Sequence, residues 1–223
     1  MKIPRKGSAK TCNNLLAVAS EIFAEKGYRN TTIAEISRRA GANIAAVNYH
    51  FGDKETLYRE AWRHSFLESI KAHPPDGGVS DDAPPEERLR GLVAALLHRI
   101  ADENNREFLL VQKELANPTG LLEEVLQKEI RPLHERTRAV IRELLGPHIP
   151  DMLVQFCEIS IISQCLNPMV VRRERAGKRE PKKDRPEIQD IEAYTDYVVK
   201  FSLGGIGVIR REAEKKERSF KNR

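Results

Sequence analysis

The chain is expected to be all-α, with a small N-terminal head and a larger helical C-terminal part. Three observations predict this. Apolar residues recur three and four apart in one long stretch after another, the repeat of a helix with one buried face. Capping residues, glycines and prolines stand around those stretches as start and stop signals. Residues 73–87, HPPDGGVSDDAPPEE, lose all periodicity and divide the 223-residue chain. The expected organisation is an arm and head over residues 1–53, a connecting helix over 54–72, and a C-terminal part over 73–223.

The composition narrows the class. Apolar content of 40%, charged content of 32% and aromatic content of 6% suit a soluble globular chain. No run of about 18 apolar residues occurs, so nothing is expected to span a membrane. The opening MKIPRKGSAK is basic but has no apolar segment after it, unlike a secretory signal, and a cytoplasmic location is expected. A net charge of +5 leans toward an anionic partner. The cysteines are Cys12, Cys157 and Cys165, an odd number at spacings that fit no zinc site. They read as reduced, mostly buried thiols, with a thiol switch as the alternative. There is no HExxH, P-loop, GxSxG or CxxC sequence. No enzyme activity, catalytic residue, metal or cofactor is therefore expected.

Residues 1–10 carry Lys2, Arg5, Lys6 and Lys10 and read as a disordered arm, either merely solvated or touching a phosphate backbone. The first helix runs from about Thr11 to Lys26, with Leu15, Leu16, Val18, Ala19, Ile22 and Phe23 on one face and Gly27 as its stop. Thr32 and Glu35 then form a capping-box pattern, the hydroxyl on the Glu35 N–H and the carboxylate reaching back. Ile33, Ile36 and Ala40 follow as a buried stripe, and Gly41 ends the helix. Asn43 caps a short helix over about 44–49, which Ile44, Val47 and Phe51 pin to the others. Helix, glycine turn and short helix is the helix-turn-helix arrangement. The small Ala45 and Ala46 would let that helix approach a groove closely, and Asn48, Tyr49 and His50 give it a polar end. Asp53 caps the next helix, from Lys54 to about Ala72. Its start combines free N–H groups with a lysine and suits a phosphate.

Beyond the breaker, Leu89 to Ile100 and Phe108 to Leu115 mark two helices. A third covers about 119–145, with Pro132 expected to kink it or cost a hydrogen bond. The stretch 151–166, DMLVQFCEISIISQCL, is apolar nearly all round and is expected to be buried nearly all round. One copy of the chain supplies too little cover, which argues for a homodimer. The last helix, about 188–218, carries Gly204, Gly205 and Gly207. Each costs about 1 kcal/mol against alanine, so close approach of another helix or a break is expected there. The eight basic residues between Arg172 and Arg185 face three acidic ones. They read as a solvated loop, with extra nucleic-acid contact as the alternative.

The stretch LLAVASEIFAEKGYRNTTIAEISRRAGANIAAVNYHFGDKETLYREAW resembles the N-terminal signature of the TetR family of bacterial transcriptional regulators. It carries a turn glycine, a Tyr-x-Phe pair and a Lys-Glu helix start. Asn48 stands where leucine is commonest, and with SIISQCL this resembles the CecR-type subgroup. The resemblance implies that Thr31 and Thr32 touch phosphate, and that Asn43, Ala45, Ala46 and Asn48 face base edges in the major groove. It implies phosphate or sugar contacts from Tyr49 and His50 and a phosphate contact from Lys54. Asparagine can pair with adenine and alanine can lie on a thymine methyl. For His50 a structural hydrogen bond within the motif is the alternative. The resemblance further implies dimerisation through the last two helices and a pocket for an unidentified small-molecule effector. Its candidate lining is Trp62, Phe66, Phe108, Gln112, Phe156, Ser160 and Gln164, each also explicable as plain core. The expected function is a ligand-responsive dimeric repressor on a near-palindromic DNA operator. A helical scaffold without DNA binding is the competing reading, opposed by the polar face of Asn48, Tyr49 and His50.

Overall fold

The computed structural model describes residues 6–176, 188 and 190–221. Among these the chain forms nine helices: α1 (Lys6–Lys26), α2 (Ile33–Arg39), α3 (Ile44–Phe51), α4 (Lys54–Ala72), α5 (Pro85–Ala101), α6 (Glu107–Ala116), α7 (Glu123–Leu145), α8 (Asp151–Ala176) and α9 (Ile191–Lys221). The all-α class and the element order agree with expectation. None of these helices is long and apolar enough to cross a membrane. The chain divides into two compact units, Met1–Lys71 with Asn104–Glu129 and Ala72–Glu103 with Ile130–Arg223.

The first unit gathers α1 to α4 around α6. Leu15, Ala19, Ile22 and Phe23 of α1 are fully buried, together with Ile36, Val47, Leu57, Tyr58 and Leu110. The Phe23 and Tyr58 rings meet edge to face at 4.8 Å, a geometry that adds to simple burial. Polar bonds tie the helices at fixed points. Ser20 Oγ donates to Ala61 O at 2.8 Å, and Tyr58 Oη donates to Glu114 Oε2 at 3.1 Å. Glu114 also accepts from the backbone N–H groups of Thr119 and Gly120, both at 2.8 Å, so one carboxylate closes the end of α6. Two expectations change here. Residues 6–10 belong to α1 and not to an arm; Lys2 and Arg5 lie outside the described residues. On α6 the apolar anchor is Leu110, while Leu115 is exposed.

The second unit packs α5 against α8 and α9, with the C-terminal part of α7 alongside. Leu89, Val93, Leu97 and Ile100 of α5, Val140 and Ile141 of α7, Val154 and Ile161 of α8 and Val198 of α9 form its core. α7 runs through Pro132 without ending. Within α8 the buried Glu158 carboxylate is shared by His134 Nδ1 at 2.6 Å and Arg138 Nε at 2.5 Å. That pairing meets the rule that a buried charge needs charged or hydrogen-bonded partners. Cys157 and Cys165 are buried free thiols, and burial pushes the Cys165 thiol up to about 12.

Two expectations for this unit are corrected. α8 is not buried all round: Met152, Phe156 and Ile159 are exposed on one side, as are Tyr197, Phe201 and Val208 of α9. Gly204 and Gly205 lie inside an unbroken α9, and a Cβ placed on either would meet nothing. No close helix approach within the chain accounts for them. Most of the basic segment 172–185 lies outside the described residues.

Candidate nucleic-acid interface

The head is built from caps outward. Thr32 precedes α2 in extended conformation, and its Oγ1 accepts from Glu35 N at 3.2 Å. The other half of the expected box does not form. The Glu35 carboxylate turns to Lys26 Nζ, which holds its pKa below the usual carboxylate range. At the far end of α2, Gly41 takes φ +62°, a left-handed conformation that favours glycine. Ala42 N donates to Ser37 O at 2.9 Å and Gly41 N to Arg38 O at 3.3 Å. These two bonds are the Schellman pairing that closes a helix on a glycine. Asn14 Nδ2 bonds Ala40 O at 2.8 Å and pins this turn to α1.

Asn43 then starts α3, its Oδ1 accepting from Ala45 N at 2.8 Å. α3 has eight residues, about 12 Å of axis, a match to the width of a DNA major groove. Val47 and Phe51 are buried, while Asn43, Ala45, Asn48 and Tyr49 are exposed and Ala46 and His50 half-buried. Ile44, expected as an anchor, is 48% exposed on the same side as Asn48, one turn away. Tyr49 is 82% exposed. The outward surface is thus one amide, two small apolar side chains and an aromatic ring, on a short helix whose inner face is fixed.

The charged rim is more committed than the sequence suggests. Thr31 is only 1% exposed and its hydroxyl donates to Gly27 O at 2.8 Å, so it offers no hydroxyl to a phosphate. Thr32 is exposed, although its oxygen is occupied by the cap. Arg39 pairs with Glu21 and Glu25, whereas exposed Arg38 stays outside these pairs. Lys54 lies 4.2 Å over the Tyr28 ring, a cation–π contact, and burial lowers its pKa. Asp53 caps α4 by accepting from Thr56 N at 2.7 Å, a bond that also lowers its pKa. The His50 ring lies 5.1 Å from Tyr49 and 5.9 Å from Phe51.

Residues 15–61 match the family model for bacterial regulatory proteins of the tetR family. Residues 85–206 match the C-terminal domain of the HTH-type transcriptional dual regulator CecR, which alone is more than half of the 223 residues. The chain belongs to the TetR family. This TetR-family chain is 29% identical to the dual regulator CecR of Shigella flexneri over 142 residues, 59% of the chain and 63% of that protein. It is 35% identical to the repressor KstR2 of Mycobacterium tuberculosis H37Rv over 100 residues, 45% of the chain and 48% of that protein. The match thus spans from about half to under two thirds of these relatives' length. A TetR-like transcriptional regulator from Rhodococcus sp. RHA1 superposes with a TM-score of 0.64 at 16% identity, covering 92% of this chain and 99% of that one. At that identity the likeness shows the fold.

The residues expected to line an effector pocket in this TetR-family chain fall into two groups. Trp62 and Phe66, stacked at 5.2 Å, are buried in the first unit, with Phe108 and Gln112 half-buried on α6. The Trp62 Nε1 is buried without an acceptor among the described residues. Phe156, Ser160 and Gln164 instead line an open groove of about 230 Å³ between α8 and α9, opposite Phe201 and Gly205. Gln164 Nε2 is satisfied by Ser160 O at 3.1 Å.

Proposed function

We propose that this chain is a ligand-responsive transcriptional repressor that binds a near-palindromic operator as a homodimer in the cytoplasm. The outward face of α3 carries the reading. Asn48 is the amide free to meet a base edge, Ala45 and Ile44 suit thymine methyls, and Tyr49 fixes register on the backbone. Asn43 joins them with only its Nδ2, because its oxygen caps the helix. Ala46 lets the helix lie close, and Thr32, His50 and Lys54 flank it as backbone contacts.

The dimer rests on the apolar side chains that α8 and α9 leave uncovered. Phe156 and Phe201 are 53% and 62% exposed around the α8–α9 groove, and the open Gly204 and Gly205 would let a second copy's helix come near. A two-fold dimer presents two α3 helices to successive major grooves, which is why a near-palindrome is the expected site. Repression accords with the name of the relative KstR2.

The test joins sedimentation with DNA binding. The wild type is expected to sediment as a dimer and to select a genomic fragment whose affinity falls steeply with salt, because phosphate contacts release counterions. Phe201→Glu is expected to give a folded monomer that loses the fragment. A wild-type monomer, or an affinity indifferent to salt, refutes the proposal.

A further inference from the structure

In the second unit a cavity of about 420 Å³ opens between residues 76–81, α5 and α7. Its apolar wall is made by Val79, Leu92, Pro132, Ala139 and Val140. None of these belongs to the residues the sequence suggested for a pocket. The loop over it is held in place. Gly91 of α5 lies so close that a Cβ there would stand 2.2 Å from Asp76 O and 2.8 Å from Val79 Cγ2. Arg136 grips the same loop from α7, through Asp76 at 3.8 Å and through Asp81. The space is therefore framed from three sides and not simply left by a loose loop.

The polar groups around it are unequally satisfied. Arg136 has two carboxylates. Arg88 gives Nη2 to Glu143, but its Nε is buried and has no acceptor among the described residues. An anion entering the cavity would face Asp76, Asp81 and Glu143; a cation would face two guanidinium groups. A neutral oxygen satisfies Arg88 without setting like charges together. We infer that this cavity binds a compact uncharged amphipath, an apolar body carrying one acceptor oxygen that Arg88 Nε takes. The cavity falls in the size range of small-molecule sites, and one placed polar group over an apolar wall is their usual make-up. Its consequence for DNA rests on the ligand-responsive reading above; the binding itself does not.

Fluorine NMR on the full chain tests it with four probes: para-fluoroacetophenone, para-fluoroethylbenzene, para-fluorobenzoate and para-fluorobenzylamine. The first two share a skeleton and differ in the carbonyl. The ketone is expected to bind at least about tenfold more tightly than the hydrocarbon, the yield of one hydrogen bond to a charged donor. Benzoate and amine should bind more weakly than the ketone. Arg88→Met should remove the ketone's advantage while the hydrocarbon still binds, and Ala139→Leu should fill the space and abolish both. Circular dichroism checks that each variant keeps its helix content, with Leu92→Phe as the blocking variant if Ala139→Leu unfolds. No ketone binding, equal binding of ketone and hydrocarbon, or ketone binding unchanged by the blocking variant overturns the site. Binding that obeys all three variants yet leaves operator affinity unaltered overturns only the effector reading.

Discussion

Asn43 and Asn48 lie on the same exposed side of α3, and the structure separates what each can do. Asn43 Oδ1 is held by Ala45 N at 2.8 Å, so a two-point adenine contact would require giving up the cap. Only its Nδ2 remains, a single neutral hydrogen bond of about 0.5–1.5 kcal/mol. Asn48 is exposed and its side chain is not engaged, so a two-point contact of about 1–3 kcal/mol is open to it. Asn43→Ser keeps a capping oxygen and removes the amide. It should melt within a few tenths of a kcal/mol of wild type and bind operator roughly two- to twelvefold more weakly per half-site. Asn43→Ala should bind as poorly and also lose about 1 kcal/mol of stability. Asn48→Ala should bind roughly five- to 150-fold more weakly with stability unchanged or slightly raised, since alanine is the better helix former. The assay is fluorescence anisotropy on a selected operator at fixed salt, beside thermal melts. If Asn43→Ser weakens binding as much as Asn48→Ala, the division of labour inferred from the cap is wrong.

Other sites give further expectations. Gly91→Ala should destabilise the second unit by about 1–3 kcal/mol, because its Cβ would meet backbone and not a flexible side chain; a urea midpoint like that of wild type would contradict this. Tyr58→Phe removes the 3.1 Å bond to Glu114 but leaves that carboxylate its Thr119 and Gly120 donors. The cost should be about 1 kcal/mol in a chemical melt, and a loss several times larger would mean that the ring itself moves. Glu35 and Asp53 have folded-state pKa values below their unfolded ones, by Lys26 and by Thr56 respectively. Their contribution is full above the ordinary carboxylate range and is lost as pH falls through the lowered folded values. Glu35→Gln should flatten the acid limb of a stability-versus-pH profile, and an unchanged limb would assign it elsewhere.

Much of the head was legible because its information is local. Thr32, Gly41, Asn43 and Asp53 sit at fixed offsets from helix ends, and each does in the structure what its chemistry dictates. What failed needed partners distant in sequence. Glu35 found Lys26 across a loop, and Thr31 bonded backward into the turn at Gly27. Over eight residues the helical repeat is too short to decide whether Ile44 faces in or out. A wheel placing 44, 45, 48 and 49 together would have shown it beside Asn48. The return of α6 to the first unit is a matter of tertiary contact, carried by Leu110 and by Tyr58 with Glu114, and no periodicity reports it. The cavity at Arg88 was hidden for the same reason. Its walls come from segments dozens of residues apart, and a lone arginine in a helix looks like any solvated charge.

The way α3 is anchored has a consequence for how such a protein changes over time. Val47 and Phe51 hold the helix, Asn43 and Gly52 bound it, and the four outward side chains carry little of the fold. Positions 44, 45, 48 and 49 are therefore open to substitution at small cost in stability, while the scaffold that presents them stays the same. A new operator can be acquired by exchanging a few surface residues, one at a time, through intermediates that all remain folded.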